Sequence, residues 1–289
     1  MSDLITLIDP AKISGSDGDA IASLDDQFGH TFTQETADNK PTLKTGANGI
    51  NNQNVLRITT NDFMLASSVY LNSTAGCIFA LVRTFNPVPS PQHFFTSSDE
   101  DGTTKYFSAA IVGTKLSTQQ RSADTASNME GFRSLGVSTI YLICWMSDGT
   151  GYYMRMNGVR EDFLVSAGVD TGDWFGDTAD RDNVALGVLK RSSLAGYASL
   201  DLGLLGITTS LPDEATLQQL ERYIDNRFGT SMYKANVINT DFANMPAARF
   251  GLAREQSLIN GKIYISHGKD STAFYVKCYE YTIATDTWD

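Results

Sequence analysis

The most constraining feature of this chain is a succession of short apolar runs, each cut off by Gly, Asn, Asp or Pro. They are Val55 to Ile58, Ile78 to Arg83, Tyr106 to Val112, Thr139 to Met146, Tyr152 to Met156, Val184 to Leu189 and Tyr197 to Ile207. Runs of this kind, bounded by turn formers, read as β-strands, and many of them at fairly even spacing fit a sandwich or a barrel. In Tyr152-Tyr153-Met154-Arg155-Met156 the alternation puts Tyr152, Met154 and Met156 on one face and Tyr153 and Arg155 on the other. The expectation is one buried face and one wet face. With 289 residues, 42% of them hydrophobic and 19% charged, the chain can enclose at least one full core.

One helix stands out, Pro212 to Phe228. Ser210 or a neighbour can cap it, Pro212 suits its first turn, Asp213 and Glu214 suit its positive end, and Gly229 closes it. Leu217, Leu220, Ile224 and Phe228 form an apolar stripe, which leaves Gln218, Glu221, Arg222 and Asp225 to face water. A helix laid against a sheet is expected. The character of the sequence changes after Thr230, and Asn260-Gly261 between apolar segments signals a hairpin, so a boundary is placed near residues 230 to 240.

A formal net charge of −11 and the absence of a Lys/Arg cluster argue against nucleic-acid binding. No apolar stretch approaches the length of a membrane span, and Met1-Ser2-Asp3-Leu4 lacks the basic flank of a secretory signal, so no membrane insertion is expected. The three cysteines, Cys77, Cys144 and Cys278, are widely spaced and read as buried free thiols, which fits synthesis in a reducing cytoplasm.

Two family resemblances follow. Leu7-Ile8-Asp9-Pro10-Ala11-Lys12-Ile13, Ile21 to Gly29, Lys40-Pro41-Thr42-Leu43, Tyr141-Leu142-Ile143-Cys144-Trp145 leading through Asp148-Gly149 to Asn157-Gly158, and Leu200 to Ile207 followed by the helix occur in this order. The ordered set resembles the laminin-G-like, concanavalin-type jelly-roll domains of bacteriophage structural proteins and of secreted bacterial proteins. The resemblance implies an all-β fold over residues 1–232, a two-sheet antiparallel sandwich with one C-terminal helix. It also implies loops that bind glycans or proteins, sometimes with calcium. Residues 236–289, with Arg249, Asn260-Gly261-Lys262-Ile263-Tyr264-Ile265, Tyr279 and Trp288, resemble one kelch motif, with His267-Gly268 where that motif usually has paired glycines. A single blade cannot close a propeller, which implies either a longer chain or completion by a partner.

The common catalytic constellations are missing. There is no phosphate loop, zinc pair or nucleophile elbow, and His30, His93 and His267 lie far apart and read as turn or surface residues. The acids cluster in loops rather than alternating on a strand as paired glycosidase carboxylates do. Asp99 and Asp101 have the spacing of two calcium ligands, although the other ligands of such a loop are absent and solvated turns compete as an explanation. Tyr153 and Trp174 are the candidates for stacking on a sugar ring, with core or inter-subunit packing as the competing reading. The expected protein is non-catalytic and needs no cofactor, calcium aside. It would be a virion component, assembled in the host cytoplasm and displayed on a tail or head fibre. There it would contact other virion proteins, a second copy, or a host-surface glycan or protein. The alternative is a bacterial carbohydrate-binding protein with a catalytic propeller beyond this chain.

Overall fold

The computed structural model describes residues 3–67, 70–85, 91–122 and 125–232 and, as strands only, 256–259, 262–269, 274–282 and 287–288. The chain divides into two compact units, Met1–Lys234 and Ala235–Asp289.

The first unit is a two-sheet antiparallel sandwich. One sheet has eight strands, in the spatial order Val159–Glu161, Tyr152–Met156, Ile140–Ser147, Gly76–Thr84, Leu200–Thr208, Asn52–Ile58 and Thr42–Gly46, with Leu4–Ile8 also paired to Leu200–Thr208. The other has nine strands, in the order Phe163–Ala167, Thr125–Ser134, Lys115–Ser122, Tyr106–Val112, Gln92–Ser98, Asn183–Leu186, Met64–Ala66, Thr31–Thr33 and Ser23–Asp25. Between the sheets lies an apolar core that includes Phe32, Phe94, Phe107, Trp145 and Phe175. The expected strand over Val184 to Leu189 is interrupted: pairing stops at Leu186, and a short hairpin, Leu189–Lys190 with Leu194–Ala195, follows.

The helix spans Glu214–Phe228, and its cap is Asp213 rather than Ser210: the Asp213 carboxylate accepts from Thr216 N at 2.7 Å. Gly229, with φ +57°, ends it as the sequence predicts. The helix covers the outer face of the eight-stranded sheet, where Leu217, Ile224 and Phe228 pack with Phe79, Leu81, Cys144 and Leu204. A Cβ at Gly206 would lie 2.1 Å from the Phe79 ring, so the bare backbone there is what leaves room for that ring in the layer shared with the helix. Cys77 and Cys144 are buried free thiols in this layer.

This third layer corrects two expectations. Arg155 and Glu221, both expected to face water, are buried at the interface of strand and helix, Nε to Oε1 at 2.8 Å and Nη2 to Oε2 at 2.9 Å. Glu214 adds a second carboxylate at 2.9 Å from Nη1. On the strand Tyr152–Met156 the helix thus covers Arg155, which alternation alone assigns to solvent, while Tyr153 on the same side stays half-buried.

The strands of the second unit pair in chain order as a four-stranded antiparallel meander, with Ile259 opposite Lys262. The kelch assignment rests on sequence resemblance alone; Met245 to Ala253, on which it leans, lies outside the described residues. Among the described residues no helix is long and apolar enough to cross a membrane.

Removing one member of a buried, hydrogen-bonded ion pair strands the other charge. Arg155→Ala is expected to lower unfolding free energy by about 3–5 kcal/mol, and joint replacement, Arg155→Met with Glu221→Leu, to restore most of it. Urea denaturation of the three proteins checks both outcomes.

Candidate functional site: a polar trough on the nine-stranded sheet

On the nine-stranded sheet the strands Gln92–Ser98 and Asn183–Leu186 are buried on both faces, with Val188, Leu194 and Tyr197 packed over the outer side, and the polar part of that side lies on the adjoining strands Tyr106–Val112, Lys115–Ser122 and Thr125–Ser134. The register of three adjacent strands defines what that face carries. Tyr106, Arg121 and Ala126 form one cross-strand row; Ser108, Gln119 and Asn128 form the next; Ala110, Ser117 and Glu130 form the third. Their neighbours along the strands, Phe107, Ala109, Leu116 and Met129, point into the core, which places these rows on the outside. Ser108, Ala110 and Ser117 are on the outer face yet have no exposed surface, so they lie at its bottom beneath longer neighbours. Short side chains below and long polar ones above make a trough. The rows Tyr106 to Ala110 extend over about 13 Å at the usual strand rise.

One wall is the Leu189–Ala195 hairpin region. Thr96 Oγ1 donates to Val188 O at 2.9 Å, and His93 N donates to Gly196 O at 2.7 Å, which fixes this segment to the strand Gln92–Ser98. Gly196 has φ +63°, and a Cβ on it would lie 2.3 Å from the His93 ring, so no other residue fits there without displacing the wall. From the hairpin Arg191 reaches back over Tyr106, its guanidinium carbon 5.1 Å from the ring centroid, and donates to Thr103 O. The opposite wall ends in the edge strand, where Leu164, 54% exposed, stands beside Glu130.

Four buried polar atoms of this region lack a hydrogen-bond partner: Ser117 Oγ, Asn128 Oδ1, Arg121 Nε and Arg191 Nε. Buried polar atoms are nearly always satisfied, and three of these lie on one sheet face with the fourth, Arg191 Nε, on the hairpin beside it; six others are spread over the rest of the described residues. His93, expected to be a turn or surface residue, is instead buried at the edge of the trough, with Nδ1 2.7 Å from Ser108 Oγ. Burial, helped by the nearby Arg191 charge, holds its imidazole down to about 4.

The structure does not bring the sequence-derived candidates together. Trp174 is fully buried in the inter-sheet core, 4.6 Å from the Phe107 ring and 5.3 Å from Phe175, which rules out sugar stacking and corrects that expectation. Tyr153 lies on the helix side of the eight-stranded sheet, half-buried. Its hydroxyl donates to Asp148 Oδ2 at 2.6 Å, which helps hold that carboxyl down to about 2, and the Arg160 guanidinium covers its ring at 4.6 Å. Asp99 spends its carboxylate within its own turn, accepting from Asp101 N at 3.1 Å and Gly102 N at 3.0 Å, while Asp101 is exposed. Among the described residues no group of three or more His, Cys, Asp or Glu is placed to hold a metal ion. A second depression, of about 520 Å³, lies between the helix and the first strand. Its floor is Leu4, Leu7, Phe79 and Leu204, and the Arg227–Asp9 ion pair at 2.6 Å stands at its rim.

No protein-family model and no curated protein matches the chain. Among solved structures it is similar to the K499G mutant of NanB sialidase from Streptococcus pneumoniae, with a TM-score of 0.51 at 14% identity over 81% of this chain and 37% of that one. It is also similar to the CBM40 of the Ruminococcus gnavus IT-sialidase, bound to α2,3 sialyllactose, with a TM-score of 0.45 at 14% identity over 52% of this chain and 83% of that one. A leech intramolecular trans-sialidase has a TM-score of 0.46 at 17% identity, over 75% and 33%. At such identities the NanB likeness shows a shared β-sandwich fold, and this chain spans little more than a third of that enzyme.

The His93 environment predicts a pH dependence. Below about 6.5 the unfolded chain takes up a proton that the folded protein refuses until about 4, so stability is present above this window and is lost as pH falls through it. The loss amounts to about 3 kcal/mol between pH 7 and 4. His93→Gln should be less pH-sensitive by that amount, as read by urea unfolding at the two pH values.

Proposed function

We propose that this protein is a non-catalytic glycan-binding module that uses the polar trough of the nine-stranded sheet. The observation that carries this reading is the set of buried, unpartnered polar atoms, Ser117 Oγ, Asn128 Oδ1 and the two arginine Nε atoms, gathered beneath and beside the longer side chains of Gln119 and Tyr106. Sugars offer many hydroxyls that both donate and accept, and apolar ring faces that lie against aromatic and aliphatic surface. Amide, hydroxyl and guanidinium groups on a rigid sheet supply the first need, and Tyr106 and Leu164 the second. Strand-borne side chains are held more precisely than loop-borne ones, which favours selective binding.

The absence of a catalytic constellation in the sequence supports a binding role rather than turnover. The tail or head-fibre reading, with its virion partners and virion localisation, rests on the sequence resemblance alone; the solved structures named above are sialidases and a sialidase module. A free glycan-binding module from a bacterium and a fibre module would use the same face.

The test is binding of the full chain to an oligosaccharide array, followed by calorimetry on the best ligand. Gln119→Ala and Asn128→Ala should each weaken binding about ten-fold, the cost of an unpaired buried polar contact, with no change in melting temperature. The bound glycan should be recovered uncleaved. Binding that is indifferent to both substitutions would move the site elsewhere, and release of a reducing sugar would make the protein an enzyme.

A further inference from the structure

Five buried or half-buried arginines among the described residues are matched by carboxylates. Arg57 and Arg83 share Asp201, Arg133 pairs with Glu161, Arg155 with Glu221 and Arg227 with Asp9. Arg121 and Arg191 break the pattern. Both are half-buried, both have a buried Nε without a hydrogen-bond partner, and among the described residues neither pairs with a carboxylate. They also converge: Arg121 is directly opposite Tyr106 on the neighbouring strand, and Arg191 lies over the same tyrosine.

Two like charges at one end of the sheet face, one over Tyr106 and one on the residue opposite it, without a counter-charge, are destabilising in the free protein. The protein as a whole does not favour anions, with a net charge of −11. A local concentration of guanidinium groups is therefore what an anionic ligand would require and what a neutral one would not. Lys105 and Lys190, the nearby lysines, are already paired with Asp180 and Glu100. His93 is neutral near pH 7 and adds no charge. Glu130 sits at the other end of the trough, two rows from Arg121, so the face is positive at the Tyr106 end and negative at the Leu164 end. A ligand with an acidic group at one end and hydroxyl donors at the other matches that polarity. Guanidinium is suited to the first part, because its planar fork accepts a carboxylate through two parallel hydrogen bonds.

Resting on the glycan-binding reading above, we propose that the trough selects glycans bearing an acidic sugar, whose carboxylate supplies the anionic partner that Arg121 and Arg191 lack. The acidic group sits at the Tyr106 end, and the neutral part of the glycan runs over Ser117 and Asn128 toward Glu130. Asn128 and Gln119 then contact hydroxyls common to acidic and neutral glycans, while the two arginines provide the discrimination.

The experiment uses the full chain and matched pairs of oligosaccharides. Each pair comprises a neutral sugar and its uronic-acid counterpart, supplemented by sialic-acid-terminated and sulfated forms, and is measured by calorimetry at 50 and 500 mM NaCl. The acidic member should bind about ten-fold or more tightly than its neutral counterpart, the worth of a charge-assisted pair. High salt should erode that advantage while leaving neutral binding unchanged. Arg121→Gln and Arg191→Gln should each weaken binding of the acidic member by a larger factor than binding of its neutral counterpart, so that most of the preference is lost. The salt series on the unaltered protein answers the question even if a variant does not fold. Sulfated forms that match the uronic acids would support the anionic pocket, with charge rather than planar geometry as its basis. Equal affinity for acidic and neutral members, or an equal loss of both on Arg121→Gln, would overturn the acidic selectivity and leave glycan binding standing. No binding of any member would instead overturn the glycan reading itself.

Discussion

The buried pairing of Arg155 with Glu221 fastens a helix onto a sheet, and the architecture depends on that closure. Without the helix, the outer sides of Gly76–Thr84, Ile140–Ser147 and Leu200–Thr208 would leave Phe79, Leu81, Cys144 and Leu204 in water. With it, the central strands of the eight-stranded sheet become the middle of three layers. Closure by an ion pair also sets direction, since the guanidinium fork reaches Glu214 and Glu221, about two helical turns apart, and so fixes how the helix lies along the strand.

Hydrophobic pattern made half of this legible. The strands of the middle sheet are continuous apolar runs, and all of the principal ones were readable as such, as was the helix with its closing Gly229. What the pattern could not show is which polar residues would be covered. Arg155 alternates with apolar neighbours, and Glu221 follows Leu220 on a mixed face, so local sequence assigns both to solvent. Only the docking of two elements distant in sequence places them against each other.

The trough was hidden for the converse reason. Its strands, Lys115–Ser122 and Thr125–Ser134, read Lys-Leu-Ser-Thr-Gln-Gln-Arg-Ser and Thr-Ala-Ser-Asn-Met-Glu-Gly-Phe-Arg-Ser, with few apolar residues and none of the runs that betray a strand. Even their core-facing side includes Thr118 and Gln120. Polar residues on both faces dilute the periodicity that reveals a strand, so the trough lies where the sequence signal is weakest. Trp174, the aromatic most visible in the sequence, proved to be a core residue, and the aromatic at the trough, Tyr106, was read only as the start of a strand.

The pairing of the first strand has a consequence for synthesis. Leu4–Ile8 hydrogen-bonds to Leu200–Thr208, the last strand of the sandwich. On the ribosome the amino-terminal segment must therefore wait for nearly the whole unit to be translated, roughly ten to forty seconds at ordinary elongation rates. Its sequence, Leu-Ile-Thr-Leu-Ile, is sticky while it waits. Such a topology makes folding late and all at once rather than progressive, and a nascent chain stalled before residue 200 would expose an apolar strand with no place to go.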